Sequence, residues 1–141
     1  MSFIELLLWL WIGHCLCDYP LQNDYLARTK ARFSFDPDTG LDVYNQQWVW
    51  SLTAHASIHA LPVMWLTGDL RCALFMIATH WVIDFLKCED RISLAQDQWL
   101  HVAVITIIAL VSSSEMNGYA IVSEIGHNLN FFQYLMELVL V

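Results

Sequence analysis

The sequence predicts an all-α protein: a polytopic membrane helical bundle of four transmembrane helices, followed by a C-terminal helix that is amphipathic or a fifth span. Three observations predict it. Hydrophobic residues make up 57% of the 141 and charged ones only 14%, a low charged share for a soluble domain. Seven Trp are present, several at the ends of apolar runs, where amphipathic rings favour a membrane interface. Eight ionisable residues fall as four pairs, His14/Asp18, His55/His59, His80/Asp84 and Asp97/His101, inside stretches that otherwise read as membrane. The alternative for this composition is a soluble helical bundle that buries all its helices.

The first helix is expected from about Ser2 to Asp18. It lacks the basic start and small-residue cleavage site of a signal peptide. Pro20 ends it, because proline disfavours the helical conformation at Tyr19. A polar loop follows at about 20–47, with Arg28, Lys30 and Arg32 and the turn signal Asp36-Pro-Asp-Thr-Gly40. Asp36, Asp38 and Asp42 lack the full spacing of a calcium loop. The second helix is expected over about Trp48–Leu66, a tight turn at Thr67-Gly-Asp69, and the third helix over about Leu70–Lys87. Ser93-x-x-Gln96 reads as a capping box opening the fourth. Residues 1–116 are thus expected to form the bundle and 117–141 the C-terminal helix. In that tail Ile121, Ile125, Leu129, Phe132, Met136 and Val139 make an apolar stripe at helical spacing.

Basic residues favour the cytoplasmic side. The links after the first and third helices carry most of them. A membrane protein with its N-terminus outside is therefore expected, with the lipid bilayer as partner and a homo-oligomer as a further candidate. The net charge of −8 argues against nucleic acid, which calls for a basic patch. Cys15, Cys17, Cys72 and Cys88 show no zinc-ribbon spacing and read as small hydrophobes.

Residues four apart share one face of a helix. Ionisable groups persist in hydrocarbon mainly when they face a bundle interior and meet partners. Up-and-down threading brings all four pairs to one depth. Five His and three Asp are candidate ligands: His14, Asp18, His55, His59, His80, Asp84, Asp97 and His101. Nitrogen and oxygen donors without thiolate suit one or two Zn²⁺ ions, with Fe²⁺ or Mn²⁺ as alternatives. A metal with an open position lowers the pKa of bound water to about 7. Asp97, Asp84 and Asp18 are then the candidate catalytic carboxylates. The expected activity is a metal-dependent hydrolase acting on a lipid, phosphoester or membrane-tethered substrate from the cytoplasmic side. Lys87, three positions after Asp84, is placed to meet a phosphate or to snorkel. The rival readings are helix–helix hydrogen bonds and a proton or ion conduit.

The ordered pattern H-x-x-x-D-Y-P-L-Q (His14 to Gln22), H-x-x-x-H, H-x-x-x-D-x-x-K (His80 to Lys87) and D-Q-x-x-H (Asp97 to His101) resembles the small bacterial and phage membrane proteins of domain-of-unknown-function family 3307. The resemblance covers about residues 8 to 111. It implies a multi-helix inner-membrane protein of bacterial or phage origin and no particular activity. That origin would make the outer side, where the N-terminus is expected, the periplasm. It would also add a host membrane protein as a candidate partner, and a phage factor acting on a host membrane complex as a rival reading. Gln22 and Lys30 also match the pattern and are candidates to reach over the site from the loop or to cap it.

Overall fold

The computed structural model describes residues 1–36 and 38–116. The first helix, α1, spans Phe3–Asp18. Ser2 opens it with a full capping box: its hydroxyl accepts from the Glu5 N–H, and the Glu5 carboxylate accepts from the Ser2 N–H at 2.7 Å. The helix stops ahead of Pro20, although Tyr19 keeps right-handed helical dihedrals and donates its N–H to the Cys15 carbonyl.

The stretch expected as a polar loop carries structure of its own. Asn23 caps a short helix, α2, over Asp24–Thr29. Strands β1 (Phe33–Asp36) and β2 (Leu41–Tyr44) then pair antiparallel, with Phe33 opposite Tyr44 and Asp36 opposite Leu41. Phe-Ser-Phe and Leu-Asp-Val alternate with the period of two that a strand needs, a signal too short to stand out among polar neighbours. The expected turn is present. The Asp36 carboxylate accepts from the Asp38 N–H and the Thr39 hydroxyl, and Gly40 takes φ +67°, which glycine adopts without strain. Arg32 ties this hairpin to the bundle through an ion pair with Glu89. Its guanidinium lies 5.8 Å from the Trp48 ring and 5.4 Å from the Phe85 ring.

Three long helices complete the fold: α3 (Trp48–Thr67), α4 (Leu70–Cys88) and α5 (Leu94–Met116). Gly68 ends α3 in the left-handed conformation, and the Asp69 side chain caps α4. Ser93 and Gln96 form the expected box at the start of α5. Short links make α4 antiparallel to both α3 and α5, and α1 packs against α3 and α5, which closes a ring of four helices. At one end of the ring Leu6, Leu10, Val63, Met76, Ile105 and Ile108 form a dry core.

The seam between α1 and α3 is organised by Pro62, which sits inside α3. Proline has no N–H, so the carbonyl four residues back loses its helical partner. That carbonyl belongs to Ile58, and the Cys17 thiol donates to it from α1 at 3.7 Å. Gly13 lies against the proline ring, so close that a Cβ there would stand 2.6 Å from the Pro62 Cβ.

The expectation of four or five transmembrane helices is overturned. Among the described residues one helix is long and apolar enough to cross a membrane, α5 over Leu94–Ser113, with mean hydropathy 1.5. The others fail for physical reasons. At ~1.5 Å per residue α1 is about 24 Å long, short of the ~30 Å hydrocarbon core. In α3 the residues Ser51, Thr53, His55, Ser57 and His59 take the place of apolar ones. In α4 Arg71, Asp84 and Lys87 fall within 19 residues. The multi-pass inner-membrane location and the periplasmic N-terminus rested on four spans and lose that support. The outer surface is nonetheless rich in apolar side chains, including Ile4, Leu8, Leu61, Leu74, Val82 and Ile107. The expected C-terminal helix at 117–141 lies outside the described residues.

Candidate metal centre

Four helices contribute one pair each to a single buried cluster. His14 and Asp18 come from the last turns of α1, His55 and His59 from α3, His80 and Asp84 from α4, and Asp97 and His101 from the first turns of α5. The four-residue spacing turns both members of each pair inward, and antiparallel packing puts the pairs at one level. All eight predicted site residues are brought together. None of the five imidazoles exposes more than 3% of its surface.

Two carboxylates act as hubs. The Asp18 oxygens lie 3.1 Å from His14 Nε2, 3.4 Å from His55 Nε2 and 3.2 Å from His59 Nε2. The Asp84 oxygens lie 3.3 Å from His55 Nε2, 3.6 Å from His80 Nε2 and 3.5 Å from His101 Nε2. Asp97 adds a contact of 3.5 Å to His101 Nε2. The rings pack on each other: His59 and His80 stack with centroids 3.6 Å apart, and His80 and His101 at 4.3 Å. His14 Nδ1 and His59 Nδ1 are 3.1 Å apart.

The donor atoms form three groups, each close enough to hold a metal ion: Asp18 with His55, His59 and His80; His14 with His80 and His101; and Asp84 with Asp97 and His101. Shared His80 and His101 join the groups into one continuous set. Most of these contacts miss hydrogen-bond geometry. Six buried ring nitrogens have no hydrogen-bond partner: His14 Nε2, His59 Nε2 and both nitrogens of His55 and of His80. Asp97 Oδ1 is in the same state. An unsatisfied buried polar group costs about 1–3 kcal/mol, so a cluster of them fits a bound cation better than mutual hydrogen bonding.

The charge states of two carboxylates and two imidazoles suit ligation, while burial is outweighed by Asp18 and Asp84 at His55, which is raised, and by Asp84 and Asp97 at His101, which is raised to about 9. Burial alone would raise the Asp18 and Asp84 carboxyls. The imidazoles beside them, and Lys30 at Asp84, outweigh it and hold both well below the usual carboxylate range. Burial pushes the His59 imidazole down to about 4 despite Asp18. Burial also lowers His80, aided by the neighbouring His59. Carboxylates ionised and imidazoles neutral are the forms that bind metals. Thiolate takes no part: burial raises Cys17 to about 12 and Cys88 to about 11.

The loop supplies what helix periodicity alone did not place. Lys30 reaches in from the end of α2 and sets its ammonium 2.7 Å from Asp84 Oδ2, the side chain largely buried. Gln22 donates from Nε2 to the Asp18 carbonyl at 3.3 Å and buries an unpartnered Oε1. Gln98, whose role was not anticipated, donates to Asp97 Oδ2 at 2.9 Å. Its sequence signal is its place in the D-Q-x-x-H motif, beside Asp97 and off the four-residue period. Together with Asp18, Asp84, Lys87 and Asp97 these residues line a cleft of ≈ 220 Å³ that opens the cluster toward the surface.

A family model described as protein of unknown function (DUF3307) matches residues 6–129. The match reaches past Ser112, further along the chain than the motifs themselves. No curated protein and no solved structure matches. The chain belongs to the DUF3307 family.

Proposed function

We propose that this DUF3307 member is a metal-dependent hydrolase, its metal held by the four His/Asp pairs. The observation that carries the reading is the set of buried, unpartnered ring nitrogens in His14, His55, His59 and His80 beside ionised Asp18 and Asp84. The ligands are drawn from His14, Asp18, His55, His59, His80, Asp84, Asp97 and His101. Zinc suits mixed nitrogen and carboxylate donors, and the three overlapping groups leave room for one ion or two. When bound, such an ion supplies a water made acidic enough to attack at neutral pH.

The chain's own residues divide the remaining work. Asp97 lines the cleft and keeps one oxygen buried and unpartnered. It is therefore the carboxylate best placed to take a proton from an attacking water. Gln98 fixes its other oxygen. Asp84 is engaged by Lys30 and three imidazoles, and Asp18 by three imidazoles, which suits both to ligation rather than proton transfer.

A proton or ion conduit fits less well. The core of Leu6, Leu10, Val63, Met76, Ile105 and Ile108 fills the ring at the other end with apolar side chains, and the Cys72–Ser112 pair is the polar contact that the described residues bury there, too little for a through path. We also place any association with a bilayer at α5, whose exposed face carries Trp99, Leu100, Ile107 and Leu110.

The test is elemental analysis of the purified full-length protein, followed by hydrolysis assays with metal-loaded wild type and Asp97→Asn. Wild type should hold one or two equivalents of metal, and the variant should keep metal but lose turnover. Folded protein that never takes up metal would sink the reading.

A further inference from the structure

The cleft over the cluster is more than an opening. Three carboxylates, Asp18, Asp84 and Asp97, face two ammonium groups, Lys30 and Lys87, across its lining. One negative charge is in excess. A single divalent cation among the carboxylates reverses that balance and makes the cleft a site for an anion.

The two lysines are unequal. Lys30 spends one of its three donor protons on Asp84, and the other two remain to be directed at a ligand. Lys87 is half-buried, and among the described residues its ammonium makes no hydrogen bond or ion pair. It sits three positions after Asp84 on the same face of α4. An ammonium held at a cleft without a protein partner is poised for an anionic one. Lysine serves as a point-charge phosphate binder. The buried Gln22 Oε1, also unpartnered, adds an acceptor for a ligand hydroxyl.

Size narrows the ligand. At ≈ 220 Å³ the cleft is smaller than the ~300–1,000 Å³ pockets that enclose drug-sized molecules. It admits a small charged end and leaves the rest of the molecule outside. A phosphate monoester meets these conditions, since it carries about −1.5 to −2 charge at pH 7 on one compact group.

We infer that the Lys30/Lys87 cleft binds the terminal phosphoryl group of a phosphate monoester, which makes this chain a phosphomonoesterase. The inference rests on the metal-hydrolase reading above. In the reaction, water adds its oxygen to phosphorus and gives a proton to Asp97. The ester P–O bond breaks, its electron pair stays on the alcohol oxygen, and the proton passes to that oxygen. Water and ester become alcohol and inorganic phosphate, with no other reactant. The alcohol is either a soluble molecule or a lipid glycerol.

The experiment titrates inorganic phosphate into zinc-loaded full-length protein by calorimetry, with acetate as comparison anion. Phosphate should bind and acetate should not compete. Lys87→Gln should weaken phosphate binding about tenfold or more, the scale of a lost charge-assisted hydrogen bond, with zinc content unchanged. Lys87→Arg should retain most of the affinity. Phosphate release is then followed from a soluble aryl phosphate and from phosphatidate in mixed micelles, and the faster arm identifies the alcohol. Zinc bound normally with no preference for phosphate, or phosphate affinity untouched in Lys87→Gln, overturns the substrate class alone. Folded protein that takes up no metal overturns the hydrolase reading, and the inference falls with it.

Discussion

Gly13→Ala tests whether the α1–α3 seam sets the metal geometry. The added Cβ would sit 2.6 Å from the Pro62 Cβ and 3.1 Å from its Cγ, where ordinary contact begins at 3.4 Å. Pro62 is a closed ring inside a helix and cannot swing aside as a long side chain would. The helices must part locally by the difference between 3.4 and 2.6, about 0.8 Å. Overpacking of this kind costs about 1–3 kcal/mol, and replacing a mid-helix glycine by alanine returns about 0.5–1. The net loss of stability is therefore about 0–2.5 kcal/mol, and the protein should still fold. The metal site is less forgiving. His14 follows Gly13 directly, and its Nδ1 is 3.1 Å from His59 Nδ1 across the seam. Ligand distances tolerate only about ±0.2 Å, so a shift of that size should cost about 10–100-fold in metal affinity, the range seen when ligand orientation is disturbed. The assay is zinc competition against a chromophoric chelator, with thermal melts on the same samples. Gly13→Ser, with the same Cβ, should behave alike. Wild-type zinc affinity in both variants would refute the link between the seam and the site.

Further outcomes are expected along the same lines. His59→Ala removes a donor shared with Asp18 and should lower the metal content per chain, read by elemental analysis; unchanged content would remove His59 from the ligand set. Chelation of wild-type protein should lower its melting temperature, because a ligand bound to the folded state alone stabilises it, and no shift on chelation would count against a bound metal. Cys17→Ser keeps a donor for the Ile58 carbonyl and should stay near wild-type stability, whereas Cys17→Ala should lose about 0.5–1.5 kcal/mol in denaturant melts. Burial raises the Cys17 thiol to about 12 from 9.0. Below pH 9 both folded and unfolded chains keep that proton. As pH rises toward 12 the unfolded chain loses it first, so wild type should lose stability relative to Cys17→Ser over that window.

The helices were legible because their signals are local. The start of α3 at Trp48, the turn at Thr67-Gly-Asp69 and the Ser93/Gln96 box each lie within a few residues of chain, and the structure has all three. The hairpin at Phe33–Tyr44 was missed because two strands of four residues each carry too few alternations to register. The span count failed for another reason. Apolar runs suggest spans, whereas α1 is too short, and the polar side chains of α3 and the charges of α4 lower what the runs suggest.

The candidate site divides along the same line. Four-residue spacing by itself determined that each His/Asp pair shares a helix face, since 3.6 residues per turn leaves no other outcome. Only the tertiary structure decided which pairs meet which. Asp18 touches three imidazoles from two helices, and Lys30 crosses from the loop to Asp84, 54 residues away. Gly13 reads in sequence as an unremarkable helical glycine until Pro62 is packed against it. Periodicity is a property of one helix, but convergence of ligands, the reach of a lysine and the tolerance of a close approach are properties of helices packed side by side.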